Sequence, residues 1–152
     1  MPRVRAVVQR VRRAQVRVGD EVVGSIDHGL CVLLGVTGTD TDGDADVLCR
    51  KIVALRIFAD HAGHMNRSVG EVGGAMLVVS QFTLYADCRG GRRPSFAAAA
   101  PAPQAATLYE RFLEVAGACP VPTQAGRFGA DMTVELVNDG PVTIILDTAD
   151  LA

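Results

Sequence analysis

Apolar and polar positions follow different rhythms in different parts of the chain, and those rhythms divide it into elements. Residues 3–11 and 14–18 mix Val with Arg and Gln in partial alternation, the period-two pattern of strands with one wet face. Residues 22–26 predict a third strand after a Gly19-Asp20 turn. Residues 30–36 are apolar throughout, which predicts a strand buried on both faces, and residues 75–81 read the same way. Between these runs the period changes. Over residues 44–57, Val47, Leu48, Ile52, Leu55 and Arg56 fall at helical spacing, with Asp42 and Asp44 placed to meet the positive end of the helix dipole. A second helix over residues 104–118 puts Ala105, Leu108, Tyr109, Phe112, Leu113 and Ala116 on one stripe, and the prolines of the preceding Ala/Pro run sit near its first turn. Strands at 132–138 and 142–147, around Asp139-Gly140, close the chain. Seven strands and two helices without a linker or repeat predict one α/β domain over residues 1–152, with the helices packed on one side of the sheet system.

Composition narrows the class of protein. Hydrophobic residues make up 49% and charged residues 21%, the balance of an ordinary globular domain. No apolar stretch approaches the roughly 18 residues that span a bilayer, and the first residues lack a signal peptide's apolar segment, so a cytoplasmic protein without membrane contact is expected. Cys31, Cys49, Cys88 and Cys119 are far apart and form no CxxC pair, the pattern of structural buried thiols in a reducing compartment. A net charge of −2 argues against a bulk electrostatic DNA binder, but the charge is uneven. Arg3, Arg5, Arg10, Arg12, Arg13 and Arg17 lie in the first 17 residues without an acid, whereas no Lys or Arg follows Arg127. Such a segment either meets RNA phosphate or forms a solvated strand face.

Two segments carry candidate chemistry. Ser80-Gln81-Phe82-Thr83 ends an apolar run with side chains that hydrogen-bond; if the strand continued, Ser80 and Phe82 would share one face and Gln81 and Thr83 the other. Polar residues at the end of a buried strand mark either a binding site or a strand fraying into solvent. A Ser or Thr nucleophile needs a base within reach, and His28, His61 and His64 all fall in apparent turns without the local context of a triad. His61 and His64 have the spacing of half a metal site but no third ligand nearby, so no metal or other cofactor is expected. The glycine clusters at 70–74 and 126–129 match no nucleotide-binding loop. The second segment is Asn138-Asp139-Gly140-Pro141-Val142-Thr143, which reads locally as a hairpin turn.

Taken in order, Ala6-Val7-Val8-Gln9-Arg10-Val11, residues 29–36, Met65-Asn66, residues 80–84, Arg93-Pro94-Ser95-Phe96, Phe128-Gly129-Ala130-Asp131-Met132 and residues 138–143 resemble the D-aminoacyl-tRNA deacylases over nearly the whole chain. His64 and Gly90 stand where that family usually has basic residues. The resemblance implies mixed, largely antiparallel sheets in a barrel-like arrangement with two helices on one side. It implies a homodimer with active sites at the interface, acting on the aminoacylated 3′ end of tRNA. Ser80, Gln81, Phe82 and Thr83 would form the catalytic pocket, with Phe128 and Met132 also lining it. A cis Gly140-Pro141 pair would enter the partner's pocket, its orientation fixed by Arg10. Selection would reject L esters and spare neither D-aminoacyl nor glycyl esters, with the RNA 2′-hydroxyl assisting hydrolysis. The competing expectation is a non-catalytic tRNA-binding module that uses the Arg-rich N-terminal ribbon.

Overall fold

The computed structural model describes residues 4–151. Arg3, counted above in the basic segment and in the first strand, lies outside them. The elements run β1 (Arg5–Val18), β2 (Glu21–Ile26), β3 (Gly29–Gly35), α1 (Asp42–Ala54), β4 (Phe58–Ala59), β5 (Met65–Arg67), β6 (Ala75–Ser80), α2 (Ala102–Ala118), β7 (Thr123–Ala125) and β8 (Thr133–Asp147), with 3-10 turns at Phe82–Tyr85 and Thr148–Asp150. The N-terminal half of β1 pairs antiparallel with β3, its C-terminal half with β2, and nearly its whole length with β8. The parallel pairs β3–β6 and β6–β7 extend the sheet. The result is a mixed sheet nearly closed into a barrel with two helices. Gly24 permits the closure: a Cβ there would lie 2.8 Å from the Ala125 carbonyl oxygen of β7 and 3.0 Å from Leu77 Cδ1 of β6.

Strands β3 and β6 are buried on both faces because each serves two cores. Leu30, Val32, Leu34, Met76 and Val78 face the helices, where they meet Leu48 and Ile52 of α1 and Leu108 and Phe112 of α2. Their neighbours Cys31, Leu77 and Val79 point the other way, into a smaller core with Val11, Val16 and Ile26. The helices are tied to each other by Arg111, whose Nε and Nη2 donate to the two Asp46 carboxylate oxygens at 2.7 and 2.8 Å. This pairing holds the Asp46 carboxyl below its usual range.

Several boundaries differ from the sequence expectation. The strands expected at 3–11 and 14–18 are one strand, since β8 pairs across the gap and Arg12 and Arg13 remain exposed in it. Helix α1 begins at Asp42, where the Asp44 carboxylate accepts from the Thr41 N–H at 2.8 Å, and it stops at Ala54 rather than continuing to 57. The chain extends at Leu55 so that Ile57 and Phe58 enter the core. Helix α2 starts two residues early, with Pro103 in its first turn. The short strands β4, β5 and β7 carry too few residues to show a period.

The cysteines divide as well. Cys31 and Cys49 are buried as expected, but Cys88 is exposed and Cys119 is half-buried. Burial pushes the Cys31 thiol up to about 11 and the Cys49 thiol up to about 12. Because the thiolate is the reactive form, a disulfide-exchange reagent at pH 8 should label Cys88 first and reach Cys31 and Cys49 only after denaturation. Mass spectrometry of the labelled peptides checks this order.

Candidate active site

Strand β6 stays buried through Val79 and pairs Ser80 with Leu34 of β3. The Gln81 N–H then donates to the Leu34 carbonyl at 2.7 Å, and the chain folds into the 3-10 turn instead of continuing as a strand. Gly35 makes room for this turn, since a Cβ there would lie 3.1 Å from the Gln81 carbonyl oxygen and 3.2 Å from Leu84 Cβ. The expected alternation of Ser80 and Phe82 against Gln81 and Thr83 therefore does not occur. The turn brings Thr83 beside Gln81, and Gln81 Nε2 donates to Thr83 Oγ1. The Phe82 and Thr83 N–H groups open the turn, where the geometry of a helical start gives them no partner within it.

The turn forms one wall of a cavity of about 630 Å³. Ser80, Gln81 and Phe82 meet Gly35 and Val36 from the end of β3, Phe128 and Met132 from the β7–β8 connection, and Phe96 from the segment before α2. Phe96 packs edge-on against Phe82 with ring centroids 5.1 Å apart. Phe128 leans on Tyr109 at 5.9 Å, and Tyr109 is itself fixed by donating its hydroxyl to the Val78 carbonyl at 2.7 Å. Burial pushes the Tyr109 phenol up to about 12, so the hydroxyl keeps its proton and remains a donor. Met132 rests over Gly126, where a Cβ would lie 2.8 Å from its sulfur. Aromatic walls with a few polar groups at one end suit a small organic group such as a nucleoside.

The structure thus gathers Ser80, Gln81, Phe82, Phe128 and Met132 and sets Thr83 next to them through Gln81. Phe96 and Asp131 line the same cavity without having been singled out by the sequence. The only signal for Phe96 was its place in the family-like stretch, because its contact with Phe82 is a long-range one. No described histidine lines the cavity. His28 stacks edge-on with Phe58, and the turn holding His61 and His64 is organised by Asp60, whose carboxylate accepts from the Ala62 and His64 N–H groups and from Asn66 Nδ2.

Arg10, Gly140 and Pro141 stand apart from this cavity. Asn138 pairs with Val11 and Thr143 pairs with Gln9, so residues 139–142 form an excursion from β8 opposite Arg10 alone. Both flanks of the excursion pair with the same strand in the same sense. Asp139-Gly140 is therefore not the hairpin reversal that the local sequence suggested, and the Gly140–Pro141 bond is cis. Asn138 closes the base: its Oδ1 accepts from the Val142 N–H at 2.7 Å, and its Nδ2 donates to the Val142 carbonyl at 3.1 Å. Arg10 holds the near side, donating from Nε to the Asp139 carbonyl at 2.9 Å and from Nη1 to the Ile57 carbonyl at 2.7 Å. Gly140 has φ +144, and a Cβ there would lie 2.7 Å from Val142 Cγ2, so the position requires glycine. The tip, Gly140 and Pro141, is exposed.

Replacing Asn138 with Ala strands the N–H of Val142, which is 8% exposed. This should cost about 1–3 kcal/mol, measured as a lower urea midpoint with unchanged m.

The sequence model of a family described as D-Tyr-tRNA(Tyr) deacylase matches residues 7–147. A protein of Desulforudis audaxviator (strain MP104C) named D-aminoacyl-tRNA deacylase is 58% identical over 148 residues, covering 97% of this chain and 99% of its own length. A Thermus aquaticus protein of the same name is 55% identical, covering 97% of each chain. Among solved structures, one described as c-Myc DNA Unwinding Element Binding Protein has 45% identity and a TM-score of 0.86, covering 93% of this chain and 97% of its own. Another, described as "a probable eukaryotic D-amino acid tRNA deacylase", has 18% identity, a TM-score of 0.82 and coverage of 95% and 99%, a likeness of fold alone.

Proposed function

The chain belongs to the D-Tyr-tRNA(Tyr) deacylase family and is a hydrolase that deacylates D-aminoacyl-tRNA, and from that premise we propose that it works in the cytoplasm as a homodimer in which each subunit supplies the chiral filter of the other's cavity. The observation that carries this reading is the division of the candidate residues. The cavity and the Gly140-Pro141 tip are both built and exposed, yet they are separate within one chain. A second copy joins them. The outer face of β8 supports such a contact: Ile145 is 70% exposed, and β8 pairs with β1 alone among the described strands.

In this arrangement the terminal adenosine enters among Phe82, Phe96 and Phe128, and the ester carbonyl lies over the 3-10 turn. Water adds to that carbonyl, the Phe82 and Thr83 N–H groups stabilise the oxyanion, and the acyl–oxygen bond breaks with the proton passing to the ribose oxygen. Among the described residues no imidazole stands in the cavity to act as base, so the neighbouring 2′-hydroxyl of the RNA assists the attack. Thr83 positions the substrate through Gln81 and forms no acyl-enzyme. Carbonyls of the Gly140-Pro141 tip accept from the α-ammonium and leave room at Cα on one side only. A D side chain then points outward, an L side chain strikes the tip, and glycine passes, so glycyl-tRNA is a further substrate.

Purified protein should release tyrosine from D-tyrosyl-tRNA at least 100-fold faster than from the L ester, with the same rate after chelation. Equal hydrolysis of both esters would remove the filter, and tRNA retention without turnover would make the chain a tRNA-binding module. A quenched turnover reaction should yield no acyl group on Thr83 by mass spectrometry. Ile145→Arg should shift the protein from dimer to monomer by light scattering and lower turnover of the D ester ten-fold or more.

A further inference from the structure

The Arg-rich N-terminal strand is the obvious place for RNA to bind, but most of its arginines are engaged by the strand beside it. Arg5 pairs with Asp147, Arg10 and Arg12 with Asp139, and Arg17 with Glu135, all on β8 or its excursion. Of the described arginines on β1, only Arg13 has a side chain in neither an ion pair nor a hydrogen bond. Free positive charge lies instead on an exposed loop closed by a two-bond bridge, in which the Asp87 N–H donates to the Ser95 carbonyl at 2.8 Å and the Ser95 N–H to the Asp87 carbonyl at 2.9 Å. The only acid on this loop, Asp87, is neutralised by Arg89, which grips both of its carboxylate oxygens at 2.9 and 2.8 Å. Arg92 and Arg93 make no ion pair or hydrogen bond among the described residues. They follow the tip glycine Gly91, where a Cβ would meet nothing within 4 Å.

The position of the loop matters more than its charge. Ser95 leads directly into Phe96, which forms the cavity wall against Phe82. Three peptide links separate Arg93 from Phe96, so their Cα atoms are within about 11 Å of each other. Two unpaired guanidinium groups are therefore carried on the chain three and four residues before a wall of the cavity that receives the terminal nucleoside. Any RNA entering the cavity must lead its preceding phosphates out past the cavity mouth. We propose that the 87–95 loop is the RNA handle of this protein, with Arg92 and Arg93 contacting the phosphates next to the terminal nucleoside, while Arg5, Arg10, Arg12 and Arg17 of β1 hold β8 and its excursion in place. This inference rests on the function proposed above and names the surface that receives the RNA backbone.

The test compares kcat/KM for D-tyrosyl-tRNA and for D-tyrosyl-adenosine, which has the ester but no preceding phosphate, across salt concentrations. In wild type, turnover of the tRNA should fall with salt and turnover of the nucleoside ester should not. Replacing Arg92 and Arg93 together with Ala should make the log–log salt slope for tRNA less negative by about 1.4, so the variant loses about seven-fold less activity than wild type between about 50 and 200 mM salt. The preference for tRNA over the nucleoside ester at low salt should fall by at least the same factor. Replacement of both with Lys should restore most of the slope, which a merely structural role for the loop would not do. Arg50→Ala, on the exposed side of α1, should leave both readouts at wild-type values. An unchanged slope in the double Ala variant, or an equal flattening by Arg13→Ala, overturns the handle while leaving the deacylase reading intact. A wild type that hydrolyses neither D ester overturns the reading beneath it and the handle together.

Discussion

Strand β1 is paired along both edges, and the surplus length of its longest partner is accommodated opposite Arg10. Strand β8 runs beside β1 from Arg5 to Arg17, but the two strands do not carry equal numbers of residues between Gln9 and Val11. The surplus on β8 cannot pair, so it leaves the sheet as the Asp139–Val142 excursion and returns. A bulge normally places one extra residue against a partner strand and re-aims a side chain. Here the surplus is larger, and it projects a backbone tip. The groups that would be stranded by leaving the ladder are recovered locally: the Asn138 amide takes both backbone groups of Val142, and the Arg10 guanidinium takes the Asp139 carbonyl. The same guanidinium reaches the Ile57 carbonyl, so the excursion is braced against the entry to the β4–β5 hairpin as well as against its own strand.

What the sequence made legible followed from how local each signal was. Residues 30–36 and 75–79 declared themselves as strands wet on neither face because no polar residue interrupts them, and both proved to divide two cores. The apolar stripe from Ala105 to Ala116 identified α2 for the same reason. The expected break after Val11 did not occur, because whether Arg12 and Arg13 end a strand depends on the presence of β8, more than a hundred residues away. Asp139-Gly140-Pro141 posed the harder problem. Turn chemistry reports that the chain bends, but whether it reverses or resumes is decided by register against β1. Phe96 illustrates the remaining limit, since a lone aromatic in an aperiodic exposed stretch gains meaning only when Phe82 stands against it.

The cavity and the excursion use different kinds of rigidity. The cavity wall is held by packing, with Phe128 on Tyr109 and Tyr109 hydrogen-bonded to β6. The excursion is exposed and cannot rely on burial, so it relies on hydrogen bonds from side chains that are themselves part of the sheet. Under the function proposed above, a filter that rejects by collision must not yield, and a pocket that accepts many esters must not press on the side chain. The arrangement is consistent with both requirements because the two parts are held by separate sets of contacts.

Gly126 touches no ligand space of its own, yet the missing side chain there is where the Met132 sulfur rests. Even a single methyl group at position 126 would occupy that seat, and the Met132 side chain, which lines the cavity, would have to shift. The shape of the cavity is therefore set in part from behind its wall, and diversification at position 126 would reshape the chamber while every residue facing it stayed the same.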